Sequence, residues 1–395
     1  MRRSIDDLPG YRSRVRGCLL GGGLGDALGA PVEFESIGRI RRQYGSAGVT
    51  GFVPDWRGKI GLITDDTQMT LFTVEGLIRG AAEEGTPSGT SGAAVAPGAS
   101  GQTAASGTSG GTAVPGAEAA AVRDAYLRWL DTQRRPSPPP ADGAVRTGWL
   151  REQGWLYSQR APGNACLSGL RHEQATAAPF GEPGPVNPGS KGCGTVMRSA
   201  PFGFDARDAR HAFDLAAECA QITHGHPTGY LAAGAFAALV HFVMEGRSLT
   251  RAVRESMDLL ATYPSHEETS LALRAAISLA AQGAPSPEKV ESLGGAWIAE
   301  EALAISVYCA LAHPEPGDLR DALLLAVNHS GDSDSTGAVC GNLLGALHGE
   351  AALPADWLAH LEGRETIVEL ADDFTTQATE GHPTTEAWLR RYPRG

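Results

Sequence analysis

Two segments near opposite ends of the chain share one glycine spacing: GCLLGGGLGDALG at residues 17–29 and GAVCGNLLGALHG at residues 337–349. In each segment a glycine recurs at every fourth position. Residues four apart lie on one face of an α-helix, and a glycine inside a helix costs about 1 kcal/mol relative to alanine. A ridge without side chains lets another backbone approach closely. We therefore predict two tightly packed core helices, with the residues beside their ridges converging at short range.

The helical period also dominates the rest of the chain, whereas the alternating pattern typical of strands is scarce. We therefore predict an all-α fold, organised as a single domain over residues 1–395. Apolar residues recur at three- and four-residue intervals in Val122–Leu130, Ala212–Ile222, Tyr230–Glu245, Thr250–Thr262, Ser270–Ala281 and Trp297–Ala312.

One segment differs in composition from all the others. Residues 85–116 contain only Gly, Ser, Thr, Ala, Pro, Val and Gln, without a charge or an aromatic ring. Such a segment cannot bury enough apolar surface to offset its ordering entropy. We predict a low-complexity flexible insertion within the domain. A linker between two domains is the alternative, but motifs on both sides of the segment are expected to build one site.

Charge and cysteine usage narrow the class of protein. Lys and Arg number 33 against 45 Asp and Glu, which gives a net charge of −12 and argues against nucleic acid or an anionic membrane as partner. No apolar run approaches the about 18 residues of a membrane span, and the N-terminus lacks a signal-peptide core. The six cysteines lack CxxC spacing, which fits a reducing compartment. We expect a soluble, cytoplasmic protein.

Three polar stretches place acids at predicted helix ends: GDALGAPVEF at residues 25–34, ITDDTQM at 63–69 and GDSDSTG at 331–337. In the first, Pro31 helps to end the helix. In the other two, carboxylates and hydroxyls precede an apolar periodic run, where a single such residue would suffice as an N-cap. Helix caps are the structural interpretation of these acids, and a metal site is the functional one.

The donor types indicate which metal would bind. Carboxylate and hydroxyl oxygens suit Mg²⁺, Mn²⁺ or Ca²⁺, whereas Zn²⁺ prefers His or Cys. Four carboxylates from the second and third stretches exceed the charge of one divalent ion, so a pair of ions is plausible. A calcium-hand loop starting at Asp332 is disfavoured, because its twelfth position is Leu343 rather than glutamate.

Two further stretches, GSKGCGTVMR at residues 189–198 and THGHP at 223–227, are less specific. Alternate glycines in the first expose backbone amides to a phosphate or a flat ring, although an ordinary turn has the same composition. Neither the P-loop nor the dinucleotide fingerprint matches it. In the second stretch, the histidines are interpreted either as ligands or as ordinary capping and core residues.

Taken in order, these five stretches resemble the ADP-ribosylglycohydrolase family, and the resemblance runs from about Gly17 to Gly349. It implies a compact multi-helix all-α domain with a binuclear Mg²⁺ centre, or Mn²⁺, in a cleft. The implied metal ligands are Thr64, Asp65, Asp66, Asp332, Asp334 and Ser335, and Glu33 is the implied catalytic residue. The implied substrate contacts are Gly189, Ser190, Lys191, Gly192, Cys193, Gly194 and His224.

The resemblance implies a Mg²⁺-dependent hydrolase that removes ADP-ribose from a modified acceptor, either a protein or a small molecule. The acidic motifs are more similar to those of arginine-specific members, because members acting on other linkages more often carry Thr at the position of Ser335. We therefore predict N-linked ADP-ribosylarginine as substrate. The alternatives are serine-linked ADP-ribose, poly-ADP-ribose, O-acetyl-ADP-ribose, a non-catalytic ADP-ribose-binding or crystallin-like role, and a two-metal phosphohydrolase. The oligomeric state is not predicted.

Overall fold

A computed structural model describes residues 7–55, 57–84, 116–173, 175–205 and 207–393. These residues form 16 α-helices, and their β pairing is limited to one isolated bridge between Gly192 and Ile298. The all-α prediction is therefore confirmed. The helices are α1 (Leu8–Gly29), α2 (Ile37–Tyr44), α3 (Asp65–Glu84), α4 (Ala117–Arg134), α5 (Asn164–Gly169), α6 (Ala209–Ala220), α7 (Pro227–Met244), α8 (Leu249–Leu260), α9 (Glu267–Ala280), α10 (Pro287–Glu291), α11 (Ala299–Ala312), α12 (Leu319–Val327), α13 (Ser333–His348), α14 (Ala355–Leu358), α15 (Arg364–Glu380) and α16 (Glu386–Arg391).

All six segments chosen for their helical period fall on helices, namely α4, α6, α7, α8, α9 and α11. Several boundaries differ by one or two residues, and one of them is the start of α11, which begins at Ala299 so that Trp297 precedes it. The backbone around Trp297 instead pairs with another loop: Ala299 N–H donates to the Lys191 carbonyl at 2.8 Å, and Cys193 N–H donates to the Trp297 carbonyl at 3.3 Å. This pairing replaces the first helical turn that periodicity alone predicts.

The two glycine ridges pack against each other, as antiparallel helices α1 and α13. Each ridge fits the backbone of the other so closely that a Cβ atom could not be accommodated. Such an atom at Gly17, Gly21, Gly25 or Gly29 would lie 2.4, 2.3, 1.9 or 2.2 Å from the carbonyl oxygen of Gly345, Gly341, Gly337 or Ser333, respectively. This packing brings the C-terminus of α1 beside the N-terminus of α13.

Helices α3 and α4 form a second close pair. A Cβ atom at Gly76 would lie 2.7 Å from the Cα atom of Val122, and one at Gly80 would lie 3.2 Å from the Cα atom of Glu118. The close contact therefore extends to the C-terminus of α3 and the N-terminus of α4. The predicted insertion, residues 85–116, connects these two ends and lies outside the described residues except for Gly116. Its flexibility, and the single-domain organisation of residues 1–395, stay predictions.

Helix α7 corrects the expectation about apolar length. Its 18 residues, Pro227–Met244, are long and apolar enough to cross a membrane by length and composition. However, 94% of that window is buried inside the protein, where α7 packs against α6 by placing Gly234 against the ring of Phe213. A helix that is apolar all round is expected in a protein core as well as in a membrane. Its burial identifies α7 as a core helix of this fold.

Candidate metal-binding cleft

A cleft of about 570 Å³ opens where the C-terminus of α1 meets the N-termini of α3 and α13. Five carboxylates from three distant parts of the chain line it: Glu33, Asp65, Asp66, Asp332 and Asp334. The glycine ridges explain this convergence, because they fix α1 and α13 at a separation that places Glu33 beside the start of α13. Oxygen atoms of Glu33, Asp332 and Asp334 lie within 4.8 Å of one another.

The start of α13 supplies two of these acids. Asp332 is the N-cap and accepts a hydrogen bond from Ser335 N–H at 3.4 Å, and Asp334 Oδ1 accepts from the same N–H at 3.0 Å. The Cys193 thiol donates to Asp332 Oδ2 at 2.7 Å. Burial raises the pKa of Cys193 well above its ordinary value, so the thiol keeps its proton. Asp332 is therefore the N-cap of α13, as the capping interpretation predicts. Asp334 lines the cleft as well, although the helix needs only one cap.

The start of α3 supplies the other pair. Asp65 Oδ2 accepts from Gly163 N–H at 3.3 Å, which ties it to the residue that precedes α5. Asp66 Oδ1 is buried and has no hydrogen-bond partner among the residues that the structure describes. Thr64 is buried behind them, and its hydroxyl accepts from Asp66 N–H at 3.3 Å. A buried carboxylate oxygen without a partner is costly, so Asp66 has unused coordination capacity.

A sixth carboxylate, Asp26, lies behind this group and is fully buried. Its two oxygens accept from Thr64 N–H at 3.0 Å, and Oδ2 also accepts from Thr67 N–H at 3.1 Å and from the Thr67 hydroxyl at 2.5 Å. Asp26 therefore holds the backbone that precedes and begins α3. The sequence does carry a signal for it, since an acid within the glycine-ridge helix is poor core material.

The carboxyl groups raise one another's pKa in this buried setting. Burial first, and then the charges of Asp334, Asp332 and Asp65, raise the pKa of Glu33 to about 10. Burial and then Asp334 raise the pKa of Asp26 to about 7. The same two causes, in the same order, hold the pKa values of Asp65, Asp66 and Asp332 well above the ordinary value. The cleft therefore favours the binding of protons or of cations, since either one neutralises the clustered carboxylates.

The residues fit a hard divalent cation. The side chains grouped here offer oxygen donors, which suit Mg²⁺ or Mn²⁺ more than Zn²⁺. Asp66 Oδ1 has no other partner, and the acids outnumber the positive charges of a single ion. Since α13 is a continuous helix from Ser333, a calcium-hand loop over the same residues is excluded. The observed donor set therefore suits one or two ions bound among Glu33, Asp65, Asp66, Asp332 and Asp334, and Ser335 lines the same cleft.

The glycine loop forms another wall, to which Ser190, Gly192, Cys193 and Gly194 contribute. His224 lines the cleft beneath this loop, and its imidazole leaves little room for a side chain at two of the loop's glycines. A Cβ atom at Gly192 or Gly194 would lie 3.2 Å from the His224 ring. His224 Nδ1 pairs with the Thr223 hydroxyl at 2.7 Å. Burial first, and then the charge of Arg198, lower the pKa of His224 to about 3, so the ring is neutral.

Two residues of the predicted substrate loop lie outside the cleft. The Lys191 ammonium forms ion pairs with Glu268 at 2.7 Å and with Glu300 at 2.5 Å, which fasten the loop to α9 and α11. Gly189 lines a neighbouring depression instead. Lys191 therefore does not offer its side chain to a ligand in this cleft. His226 caps α7, because its Nδ1 accepts from Thr228 N–H at 3.2 Å, as the capping interpretation predicts.

Sequence reasoning missed the wall of the cleft next to the glycine loop and the aromatic pair at the rim. Gln159, residues 161–165 and Leu167 form that wall, and Phe34 and Trp297 stack on each other beside Glu33. The wall carries no pattern that separates it from other loops. The aromatic pair joins residues 263 positions apart, although the position of Phe34 next to Glu33 could have drawn attention to it.

Comparison with known proteins identifies the family. The sequence profile described as ADP-ribosylglycohydrolase matches residues 7–383. The chain belongs to the ADP-ribosylglycohydrolase family. The recognition made from the five motifs is thereby confirmed.

Two curated relatives and one solved structure agree with this assignment. The ADP-ribosyl-[dinitrogen reductase] glycohydrolase of Rhodospirillum rubrum is 28% identical over 362 residues, which cover 90% of this chain and 92% of the relative. The ADP-ribosylarginine hydrolase Tri1 of Pseudomonas putida (strain GB-1) is 23% identical over 379 residues, which cover 93% of this chain and 79% of the relative. A solved structure titled ADP-ribosylglycohydrolase-related protein complex superposes with a TM-score of 0.59 at 22% sequence identity. The superposition covers 94% of this chain and 99% of the chain in that structure. This ADP-ribosylglycohydrolase therefore shares the fold of that structure.

Proposed function

We propose that this ADP-ribosylglycohydrolase is a Mg²⁺- or Mn²⁺-dependent enzyme that releases ADP-ribose from modified arginine side chains. The observation that supports this proposal most directly is the convergence of five carboxylates in one cleft with a glycine loop. The relative named ADP-ribosylarginine hydrolase, which aligns over 93% of this chain, supports arginine as the acceptor. We further propose that the protein acts in the cytoplasm, since none of its six cysteines forms a disulfide.

The proposed ion site consists of the oxygens of Asp65, Asp66, Asp332 and Asp334, with Thr64 and Ser335 as the hydroxyl members of the set. Divalent cations bound there would supply electrostatic stabilisation and would fix the hydroxyls of the ribose. Asp26 supports the set by holding the start of α3, where it accepts three backbone and side-chain donors from Thr64 and Thr67.

Glu33 is the proposed proton-transfer residue. Cleavage of the bond between the anomeric carbon and the arginine nitrogen develops oxocarbenium character on the ribose, and the attacking water must lose a proton. Glu33 is only partly buried and lies at the edge of the carboxylate group, so its oxygen can reach a water above the sugar. Cations bound beside it would offset the carboxylate charges that raise its pKa, and the ionised Glu33 would then act as general base.

The glycine loop and His224 are the proposed binding surface for the rest of ADP-ribose. Gly192 and Gly194 keep the wall flat where a ribose or phosphate would approach the backbone. His224 stays neutral, so it offers a hydrogen bond without adding charge to the cleft. Lys191 contributes by holding the loop to Glu268 and Glu300, rather than by contacting the ligand.

The test is a panel of conjugates with ADP-ribose linked to arginine, to serine, to O-acetyl and in polymer form, each assayed with Mg²⁺ and with a chelator. We expect release from the arginine conjugate that stops on chelation. Release from the serine conjugate alone would overturn the arginine assignment. Full activity in the presence of the chelator would overturn the metal dependence.

Substitution separates the roles of the acids. Glu33→Gln should lower the turnover number by about 100-fold or more, the usual contribution of general-base catalysis, while ADP-ribose still binds. Glu35→Gln is the matched control, because Glu35 precedes α2, pairs with Arg39 at 2.9 Å and is not among the residues that line the cleft. A Glu33→Gln variant as active as Glu35→Gln would remove Glu33 from the mechanism.

The proposed ion ligands need a binding measurement of their own. Asp334→Ala should weaken Mg²⁺ binding measured by calorimetry, whereas Asp356→Ala removes an exposed acid that pairs with Arg320 and should leave it unchanged. Equal Mg²⁺ affinity in the two variants would contradict the assignment of Asp334 as a ligand.

A further inference from the structure

Two aromatic rings stand at the rim of the cleft, and neither the proposed ion site nor the glycine loop uses them. Phe34 and Trp297 stack with ring centroids 5.1 Å apart and an interplanar angle of 24°. Phe34 is 68% exposed and Trp297 is 43% exposed, which makes them two of the four large apolar side chains exposed in the described part of the chain. Both line the cleft.

The backbone of Phe34 is strained, although its ring gains little burial in return. Phe34 has a φ of 67°, and a bulky residue in the left-handed region costs about 1–2 kcal/mol. Because Phe34 covers one ring face with Trp297 and is still 68% exposed, its other face is open to solvent. The result is a flat apolar surface, held in place by strained backbone, next to Glu33.

The backbone fixes both rings relative to the proposed reaction centre. Phe34 directly follows Glu33, the proposed proton-transfer residue. The Trp297 carbonyl accepts from Cys193 N–H at 3.3 Å, and the neighbouring Ile298 forms the β bridge with Gly192, so Trp297 is attached to the proposed substrate loop. A group leaving the sugar beside Glu33 would therefore meet the ring pair first.

The charge around the pair selects for a cation. The described residues that line the cleft include five carboxylates and neither Lys nor Arg. Two divalent ions would balance the four aspartates, and the diphosphate of bound ADP-ribose would then keep the balance negative even where Glu33 is replaced by glutamine. A planar cation gains both from this field and from stacking on an aromatic face, and guanidinium stacks in this way more readily than ammonium.

We propose that Phe34 and Trp297 form an aromatic platform for the guanidinium group of the acceptor arginine. The platform rests on the proposed function and deepens it, because it assigns acceptor selectivity to two residues outside the ion site. A serine acceptor offers neither a charge nor a flat group to these rings. ADP-ribose without an acceptor does not need the platform.

Calorimetry on catalytically inactive variants tests the aromatic platform. In a Glu33→Gln background with Mg²⁺ present, the affinities for ADP-ribosylarginine and for free ADP-ribose are measured and their ratio is compared. Adding Phe34→Ala or Trp297→Ala should lower this ratio by about 3- to 10-fold, the range expected for a cation on an aromatic face. The affinity for ADP-ribose itself should change less than about twofold, because that ligand lacks the guanidinium.

Two controls accompany these variants. Phe34→Tyr retains the ring and should retain the ratio. Leu271→Ala removes an exposed apolar side chain of similar exposure, 65%, from α9 outside the cleft and should change neither affinity. Thermal unfolding of each variant checks that the fold is intact before binding is compared.

The outcomes separate this proposal from the proposed function. If both substitutions weaken ADP-ribose and its arginine conjugate equally, the rings contact the ADP-ribose portion and the platform is refuted. An unchanged ratio with unchanged affinities refutes it as well. If the unmodified enzyme fails to cleave the arginine conjugate while the ratio still depends on Phe34, the proposed function fails and the platform stands.

Discussion

The glycine ridges allow a quantitative prediction from two substitutions in the same helix. Gly21 and Gly23 are both buried in α1, and they differ in what a new methyl group would meet. At Gly21 a Cβ atom would lie 2.3 Å from the carbonyl oxygen of Gly341, whereas at Gly23 its nearest neighbour would be a Leu361 methyl at 3.4 Å. The first is a clash with backbone and the second is ordinary contact.

These distances set the expected change in the free energy of unfolding. Raising the contact at Gly21 to 3.0 Å requires α1 and α13 to separate by about 3.0 − 2.3 = 0.7 Å. Overpacking of this kind destabilises a protein by about 1–3 kcal/mol, and by more where backbone faces backbone. The higher helix propensity of alanine offsets about 1 kcal/mol of that cost. Gly23→Ala should keep that gain without the clash. We expect Gly21→Ala to be less stable than Gly23→Ala by about 1–3 kcal/mol.

Urea unfolding of both full-length variants with Mg²⁺ measures this difference. Magnesium affinity provides a second readout, because Asp26 of α1 holds the start of α3 and the ridge contact therefore controls how close Asp65 and Asp66 come to Asp332 and Asp334. Gly21→Ala should weaken Mg²⁺ binding, and Gly23→Ala should leave it unchanged. If Gly21→Ala proves as stable as Gly23→Ala, the ridges do not set the separation of the two helices and the reasoning is wrong.

The pKa values of the acids predict how stability depends on pH without metal. Because Asp26 and Glu33 have pKa values raised to about 7 and about 10 in the folded protein, the folded state binds more protons than the unfolded chain above about pH 4. The free energy of unfolding should therefore fall as the pH rises towards these values, and Mg²⁺ should raise the melting temperature more at pH 8 than at pH 5.5; a gain that is equal at both values would contradict the clustering of charge. The α3–α4 contacts predict that residues 85–115 can be replaced by a short Gly-Ser linker with melting temperature and ADP-ribosyl hydrolase activity retained. Loss of either would show that the segment contributes to the fold or to the site.

Much of the site could be predicted because the relevant signals are local in the chain. Helical period, N-cap chemistry and glycine spacing depend on neighbours within about one turn of helix. They placed α1 and α13, and they singled out the acids at the starts of α3 and α13. The donor types then indicated a hard cation, because oxygen ligands are a property of the residues themselves.

The direction of each side chain could not be obtained in the same way. Lys191 and Cys193 are two positions apart in one loop, yet the first pairs with Glu268 and Glu300 while the second donates to Asp332. Which side of the loop faces the cleft depends on α9 and α11, whose positions result from packing across the whole core.

The sequence by itself determined the helices named from their apolar period, the glycine ridges and the inventory of acids, since each arises from interactions between near neighbours. Only the tertiary structure decided that Asp26 holds the start of α3 behind the proposed ion site, that Gln159 and residues 161–165 line the cleft and that Phe34 stacks on Trp297. These pairings join residues tens to hundreds of positions apart. Burial of a common core brings them together, and burial depends on total apolar area and shape rather than on any local pattern.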